Sequence, residues 1–132
     1  MSQQDVEMLS RGYEAFGSGD TQAVLALLAP DVIVEVHTER PDIGSEVYHG
    51  HEGFFANFAE LTDVFDDLKV EAGEIEQRGE RILVACRVTG RGKGSGVEIV
   101  AKIFHVWTLR DGIATRLEIY SDAERAGKAL GE

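Results

Sequence analysis

An α+β fold, with helices gathered on one face of a bent antiparallel sheet, is what this 132-residue sequence predicts. Three observations carry that expectation. Apolar residues recur at helical spacing through the first half of the chain. From Leu68 onward the pattern changes to alternation rich in β-branched residues. Turn-forming glycines divide that second half at Arg78-Gly79-Glu80, at Arg91–Gly96 and at Arg110-Asp111-Gly112.

The elements follow in order. Val6, Leu9, Tyr13 and Phe16 predict an amphipathic helix over 3–16, stopped by Gly17 and Gly19. Asp20 suits the N-cap of a second helix, TQAVLALLA, which Pro30 ends. Residues 31–37 are β-branched enough for a short strand. Residues 38–50 hold Pro, Gly and Ser with no clear period and predict the longest loop. Over 52–65 a third helix sets Phe54, Phe58, Leu61 and Phe65 on one face. Four antiparallel strands follow at 68–77, 81–90, 97–109 and 113–120, then a polar tail with helical character over 122–129. No linker or internal repeat interrupts this order, so residues 1–132 are expected to form one domain.

Charge narrows the partners. The chain carries 24 acidic and 13 basic residues, a net charge of −11. Such an excess repels phosphate backbones and anionic lipid surfaces, so neither nucleic acid nor a membrane is an expected partner. No apolar run is long enough for a membrane span. The N-terminus MSQQDVEMLS lacks the basic and apolar regions of a secretory signal. One cysteine, Cys86, permits no internal disulfide, and a cytoplasmic setting is expected. The glycine-rich RGKGSG lacks the phosphate-loop spacing and no helix follows it, so it is expected to be a hairpin loop.

The stretch KIFHVWTLRDG raises the functional question. Successive strand residues point to opposite faces, so Ile103, His105, Trp107 and Leu109 share one face, which is apolar except for one imidazole. On the neighbouring strands Ile82, Val84, Cys86 and Val88 form one face, and Leu117 and Ile119 another. Together these make a concave apolar surface, which Tyr13, Phe16, Phe54 and Phe58 from the helices would cover. The expected result is an apolar cavity with two polar handles, Tyr13 and His105. That mixture suits a small-molecule pocket, and equally a filled core around one hydrogen-bonded pair.

The stretches YEAFGSGDTQAVLALLAPDVIVEV, YHGHEGF, FHVWTLRDG and RLEIYSDAE resemble the SnoaL-like, ketosteroid-isomerase-like branch of the nuclear transport factor 2-like superfamily. The resemblance spans nearly the whole chain. It implies a cone of curved antiparallel sheet covered by three helices, a cystatin-like α+β barrel with a pocket inside. It also implies a homodimer, here through the convex sheet face. It implies a range of activities, among them isomerases, dehydratases, cyclases, epoxide hydrolases and non-catalytic binders. The isomerase's oxyanion tyrosine matches Tyr13, and its protonated aspartic acid matches His105. Its general-base aspartate falls at Val36, which cannot take a proton, so Glu35 would have to turn inward or His37 would have to substitute. The acid aspartate of the epoxide hydrolases falls at Ile119. Asp122 and Glu118 are the nearest acids to the one the polyketide cyclases use.

The candidate catalytic pair is therefore His105, as acid–base or neutral donor, and Tyr13, as donor to a substrate oxygen. Phe16, Val36, Phe54, Phe58, Val84, Cys86, Val88, Ile103, Trp107, Leu117 and Ile119 are the candidate substrate contacts. The expected occupant is a small apolar molecule, cyclic or polyketide-like, and the chemistry proton transfer with no cofactor. Cys86 has no local base and reads as core. His37, His49, His51 and Glu52 suggest a metal only superficially, because zinc needs ligands that converge, and no metal is expected. The other reading is a non-catalytic binder or dimeric scaffold with His105 filling the core. Arg87 and Glu118 are expected on the convex face, as a cross-strand pair or a dimer contact.

Overall fold

The computed structural model describes residues 2–37 and 45–131. Its elements run α1 (Ser2–Ser18), α2 (Thr21–Leu25), β1 (Leu28–His37), β2 (Ser45–His49), α3 (Gly50–Thr62), β3 (Phe65–Arg78), β4 (Arg81–Gly92), β5 (Glu98–Arg110), β6 (Ile113–Tyr120) and α4 (Ala123–Leu130). The strands form one sheet in the order β2-β1-β6-β5-β4-β3. The expected α+β class holds: a curved sheet with α1, α2 and α3 over its concave side. The sheet is unclosed, with β2 and β3 as its edges. The four-strand meander is antiparallel as expected, whereas β1 joins β6 in parallel.

Local sequence explains where expectations held and where they moved. Asp20 caps α2 by accepting from the Ala23 N–H at 3.2 Å. The helix ends at Leu25, four residues before the expected end, because Leu28 already belongs to β1 and pairs with Ala114. Helical propensity in ALLA yields to that tertiary pairing. Pro30 sits where the β1–β6 register shifts, so its missing N–H breaks no ladder bond. α3 stops at Thr62, and Phe65, expected on its apolar face, opens β3 opposite Gly92.

The expected loop over 38–50 is corrected at its end, where Ser45–His49 pairs antiparallel with β1. Residues 38–44 lie outside the described residues. Asp111 and Gly112 both have positive φ, 53° and 77°, as the tight β5–β6 hairpin requires. The polar tail is helical, with Asp122 accepting from the Arg125 N–H at 3.1 Å and Gly131 left-handed beyond the end.

Register sets the two faces. Val34, Leu117, Trp107 and Ile82 form one cross-strand row on the inner face. Val36, Ile119, His105 and Val84 form the next. Val34, Ile82 and Val84 are fully enclosed, and each such side chain contributes about 1.5–3 kcal/mol by leaving water. The outer face is covered in part by α4, whose Ala126 packs on Val106 and Tyr120. The concave side thus gathers the apolar rows, and the single imidazole lies among them.

Candidate active site

A cavity of about 260 Å³ opens between the helices and the inner sheet face. Tyr13, Phe16, Val36, Phe54, Phe58, Ile103, His105, Trp107, Leu117 and Ile119 line it, as the sequence pattern anticipated. Three expected contacts do not. Val84, Cys86 and Val88 are buried beneath the lining. Ile75 of β3, the cross-strand partner of Val84, packs against the same buried cluster. The sheet's share of the lining comes from β1, β5 and β6, with Val70 from β3. Leu9, Gly12, Val24, Asn57 and Val70 line it too and were missed. Leu9 and Asn57 had a legible signal, since each stands at helical spacing from an expected contact, Tyr13 and Phe54 respectively.

At the sheet wall, Tyr13 Oη and His105 Nδ1 are 2.6 Å apart. Trp107 Nε1–H donates to the same Tyr13 oxygen at 2.8 Å. Strand alternation places His105 and Trp107 side by side, and α1 lowers Tyr13 onto both. Cys86 Sγ stands behind, 3.5 Å from His105 Nδ1. His105 is only 8% exposed. Its Nε2 makes no hydrogen bond to any described residue, and the ring lines the cavity.

Proton placement follows from donor counting. An indole N–H only donates, so the Tyr13 oxygen accepts from Trp107. If Tyr13 O–H donates to Nδ1, every polar group of the cluster is satisfied except His105 Nε2–H. If Nδ1–H donates to Tyr13 instead, the Nε2 lone pair is left open and the tyrosine O–H finds only Cys86 Sγ, a weak acceptor 3.8 Å away. Unmet polar groups are costly, so the protein's own groups favour the first placement. The Cys86 thiol, a weak donor beside Nδ1, favours it further.

Burial sets the charge state. Desolvation pulls the His105 pKa down to about 4, so the ring is neutral at pH 7. Burial also raises the Tyr13 pKa well above its ordinary value, so the phenol keeps its proton. The Cys86 thiol is pushed up to about 11 by burial, which leaves it inert, as its apolar strand implied. His105 thus faces the cavity as a neutral N–H donor. In this placement the Tyr13 proton goes to His105.

The acids lie on the other side of the sheet. Because Val36 points in, Glu35 and His37 point out. Glu35 is bonded to Arg116, and His37 Nε2 donates to Glu35 Oε1 at 3.1 Å. The Arg116 hydrogen bond holds the Glu35 carboxyl below its usual range. Neither residue substitutes for the missing base. Glu118 accepts from Tyr120 O–H at 2.7 Å and lies 3.9 Å from Arg116 Nε, also on the outer face. Glu35, His37 and Glu118 come close enough to one another to suggest a metal centre. The Arg116 guanidinium already supplies the positive charge between the two carboxylates.

Among the remaining candidates, Arg87 is not paired with Glu118. It stands in a row with Glu71 and Lys102 on the outer face. His49 precedes α3 and is exposed, while His51 Nε2 donates to the Leu28 carbonyl at 3.1 Å. These histidines do not converge with His37, which sits at the far end of the β1–β2 ladder.

Comparison with known proteins agrees with this fold. Residues 9–117 match the family model described as the SnoaL-like domain. An NTF2-like protein of unknown function from Burkholderia pseudomallei superposes with TM-score 0.73 at 26% identity, covering 97% of this chain and 98% of that one. A Jannaschia protein assigned as a SnoaL-like polyketide cyclase gives TM-score 0.76 at 22% identity, with 97% and 92% covered. The epoxide hydrolase/cyclase-like enzyme SalBIII, of pyran ring formation in the polyether salinomycin, gives 0.73 at 16%, with 93% and 94% covered. These last two show a shared fold. Among curated proteins no sequence relative is found. No helix among the described residues is long and apolar enough to cross a membrane. With the match spanning most of α1, all of α2 and α3, β1 and the strand that carries His105, this chain belongs to the SnoaL-like domain family.

Proposed function

We propose that this protein binds a small, neutral, mostly apolar carbonyl compound in its cavity and promotes proton-transfer chemistry on it, of the isomerase, dehydratase or cyclase kind. The observation that carries this reading is His105, which lines an apolar cavity with Nδ1 held by Tyr13 and Nε2 without a hydrogen bond to any described residue. A neutral imidazole N–H in a water-poor site stabilises negative charge developing on a carbonyl oxygen. The volume of about 260 Å³ falls just below the usual range for drug-sized ligands, and suits one or two rings. Among the described residues no Asp, Glu, Lys or Arg lines the cavity, which favours a neutral occupant. A step needing a base must then find it in the bound molecule. Cyclisation onto a carbonyl, with the nucleophile supplied by the substrate itself, is the kind best suited to this site. The cyclase-like roles named for two structural neighbours support it.

Non-catalytic ligand binding is the second reading, favoured by the same lack of a carboxylate in the lining. In either case the protein acts as a cytoplasmic homodimer, without nucleic acid or membrane. It would pair through the part of the convex face that α4 leaves open, where Val100 is 66% exposed beside the Glu71, Arg87 and Lys102 row.

The test is an NMR titration with 1-tetralone, a bicyclic aryl ketone, on wild type and His105→Leu. Saturable shifts at His105, Phe54 and Ile119, with affinity at least several-fold weaker in the variant, support the reading. Absence of saturable shifts in a folded wild-type protein contradicts it.

A further inference from the structure

We infer that Asn57 is a specificity-determining residue of this cavity, and that the ligand carries a second polar group, a hydroxyl or carbonyl, apart from the one that meets His105. The inference rests on the cavity being a ketone site, as proposed above.

On α3 the residues Phe54, Asn57, Phe58 and Leu61 follow the spacing of one helical face, and all four line the cavity. Asn57 interrupts an otherwise apolar stripe. Its side chain is half-buried and makes no hydrogen bond to any described residue. A primary amide offers two donors and two acceptor sites, so half-burial without a protein partner leaves it available to a ligand. His105 belongs to the sheet wall and Asn57 to the helical wall, so the two polar handles belong to opposite sides of one apolar space.

The walls between them are ring-shaped. Phe16 and Phe58 meet edge to face with centroids 4.6 Å apart, and Trp107 stands against Phe54 at 6.5 Å. A flat ring body fills such a space with its faces and edges against aromatic side chains. His105 requires an acceptor, because its open group is an N–H. Asn57 accepts either a donor or an acceptor. The ligand class is therefore a neutral ring ketone bearing a hydroxyl or a second carbonyl away from the first.

Affinities of 1-tetralone and of 5-, 6- and 7-hydroxy-1-tetralone are to be measured on wild type, Asn57→Leu and Asn57→Ala. At least one hydroxy isomer should bind wild type about fivefold more tightly than 1-tetralone, the effect of one added hydrogen bond in an apolar setting. Both variants should lose that preference while still binding 1-tetralone. Two variants of different size keep the result readable if one folds poorly. Retention of the preference in the variants, or no preferred isomer in wild type, overturns the inference and leaves the ketone site standing. Failure of all four ketones to bind wild type contradicts the proposed function itself, and this inference falls with it.

Discussion

The two faces of this sheet carry similar residue types and use them in opposite ways. Inside, a histidine, a tyrosine and a tryptophan are joined by hydrogen bonds between neutral groups. Outside, a histidine and a tyrosine join two glutamates and an arginine. The outer rings of His37 and Tyr120 stack at 4.6 Å, but their polar atoms go to carboxylates. Neighbouring residues on β1 divide the sites: Val36 serves the cavity, while Glu35 and His37 serve the outer network. Strand alternation alone thus separates a neutral donor site from a charged one across a single sheet. The difference teaches that position 36 faces the cavity, and that this sequence leaves it apolar.

The largest effect should come from removing that difference. Val36→Asp puts a carboxylate in the row that contains His105. Burial should raise its pKa above the ordinary value, into the range of a useful base. Proton–deuterium exchange at the α-carbon of bound 1-tetralone should rise about 100-fold over wild type, the low end for a positioned general base. An unchanged rate in a folded variant would show that position 36 does not reach the ligand.

Tyr13→Phe breaks the inner cluster from its centre. It leaves the Trp107 N–H and His105 Nδ1 without their shared partner. The expected loss is about 2–3 kcal/mol in urea unfolding, since two largely buried polar groups lose their partner. A loss below about 0.5 kcal/mol, the edge of what one net hydrogen bond contributes, would mean that water replaces the hydroxyl.

Much of this was legible in the chain before folding. Alternation along FHVW placed His105 and Trp107 on one face, and the helical period placed Tyr13 over them. The helical character of 122–129 and the β5–β6 turn were also readable, because each depends on local chemistry. What the sequence concealed was non-local. Nothing in ALLAP announces that Leu28 pairs with Ala114 across the sheet. β2 is an edge strand whose Val47 is 49% exposed, so its own pattern is weak and its ladder is set by β1. Val84 and Cys86 have the right parity, and parity does not reveal that both lie buried outside the cavity lining. The direction of the Tyr13–His105 bond depended on the third partner, Trp107, which the sequence reading took for a ligand contact or core packing alone.

The pH dependence of stability sharpens the comparison further. The folded His105 pKa is about 4, against 6.5 unfolded. Between those values the unfolded chain takes up a proton that the folded chain does not. His105 therefore contributes stability that is present above pH 6.5, falls as pH drops toward 4, and changes no further below that. At pH 5 the loss should be about 2 kcal/mol, from 1.36 kcal/mol per unit. It is read as the extra acid sensitivity of wild type over His105→Gln. Equal acid sensitivity in the two proteins would show that His105 is not desolvated.

The smallest effect belongs outside. Glu35→Gln removes a charge whose partner Arg116 has a side chain 43% exposed. The expected cost is below about 1 kcal/mol, shrinking with added salt, with tetralone affinity unchanged. A change in affinity would mean that the two faces communicate through β1.

The most direct measurement of the central claim is the tautomer of His105, read from long-range proton–nitrogen NMR correlations of the imidazole at pH 7. The structure predicts a neutral ring protonated at Nε2, with Nδ1 accepting from Tyr13 and the pattern held from pH 8 to pH 5.5. A ring protonated at Nδ1, or one that becomes cationic above pH 6, would contradict it and would make the cavity's polar handle a base rather than a donor.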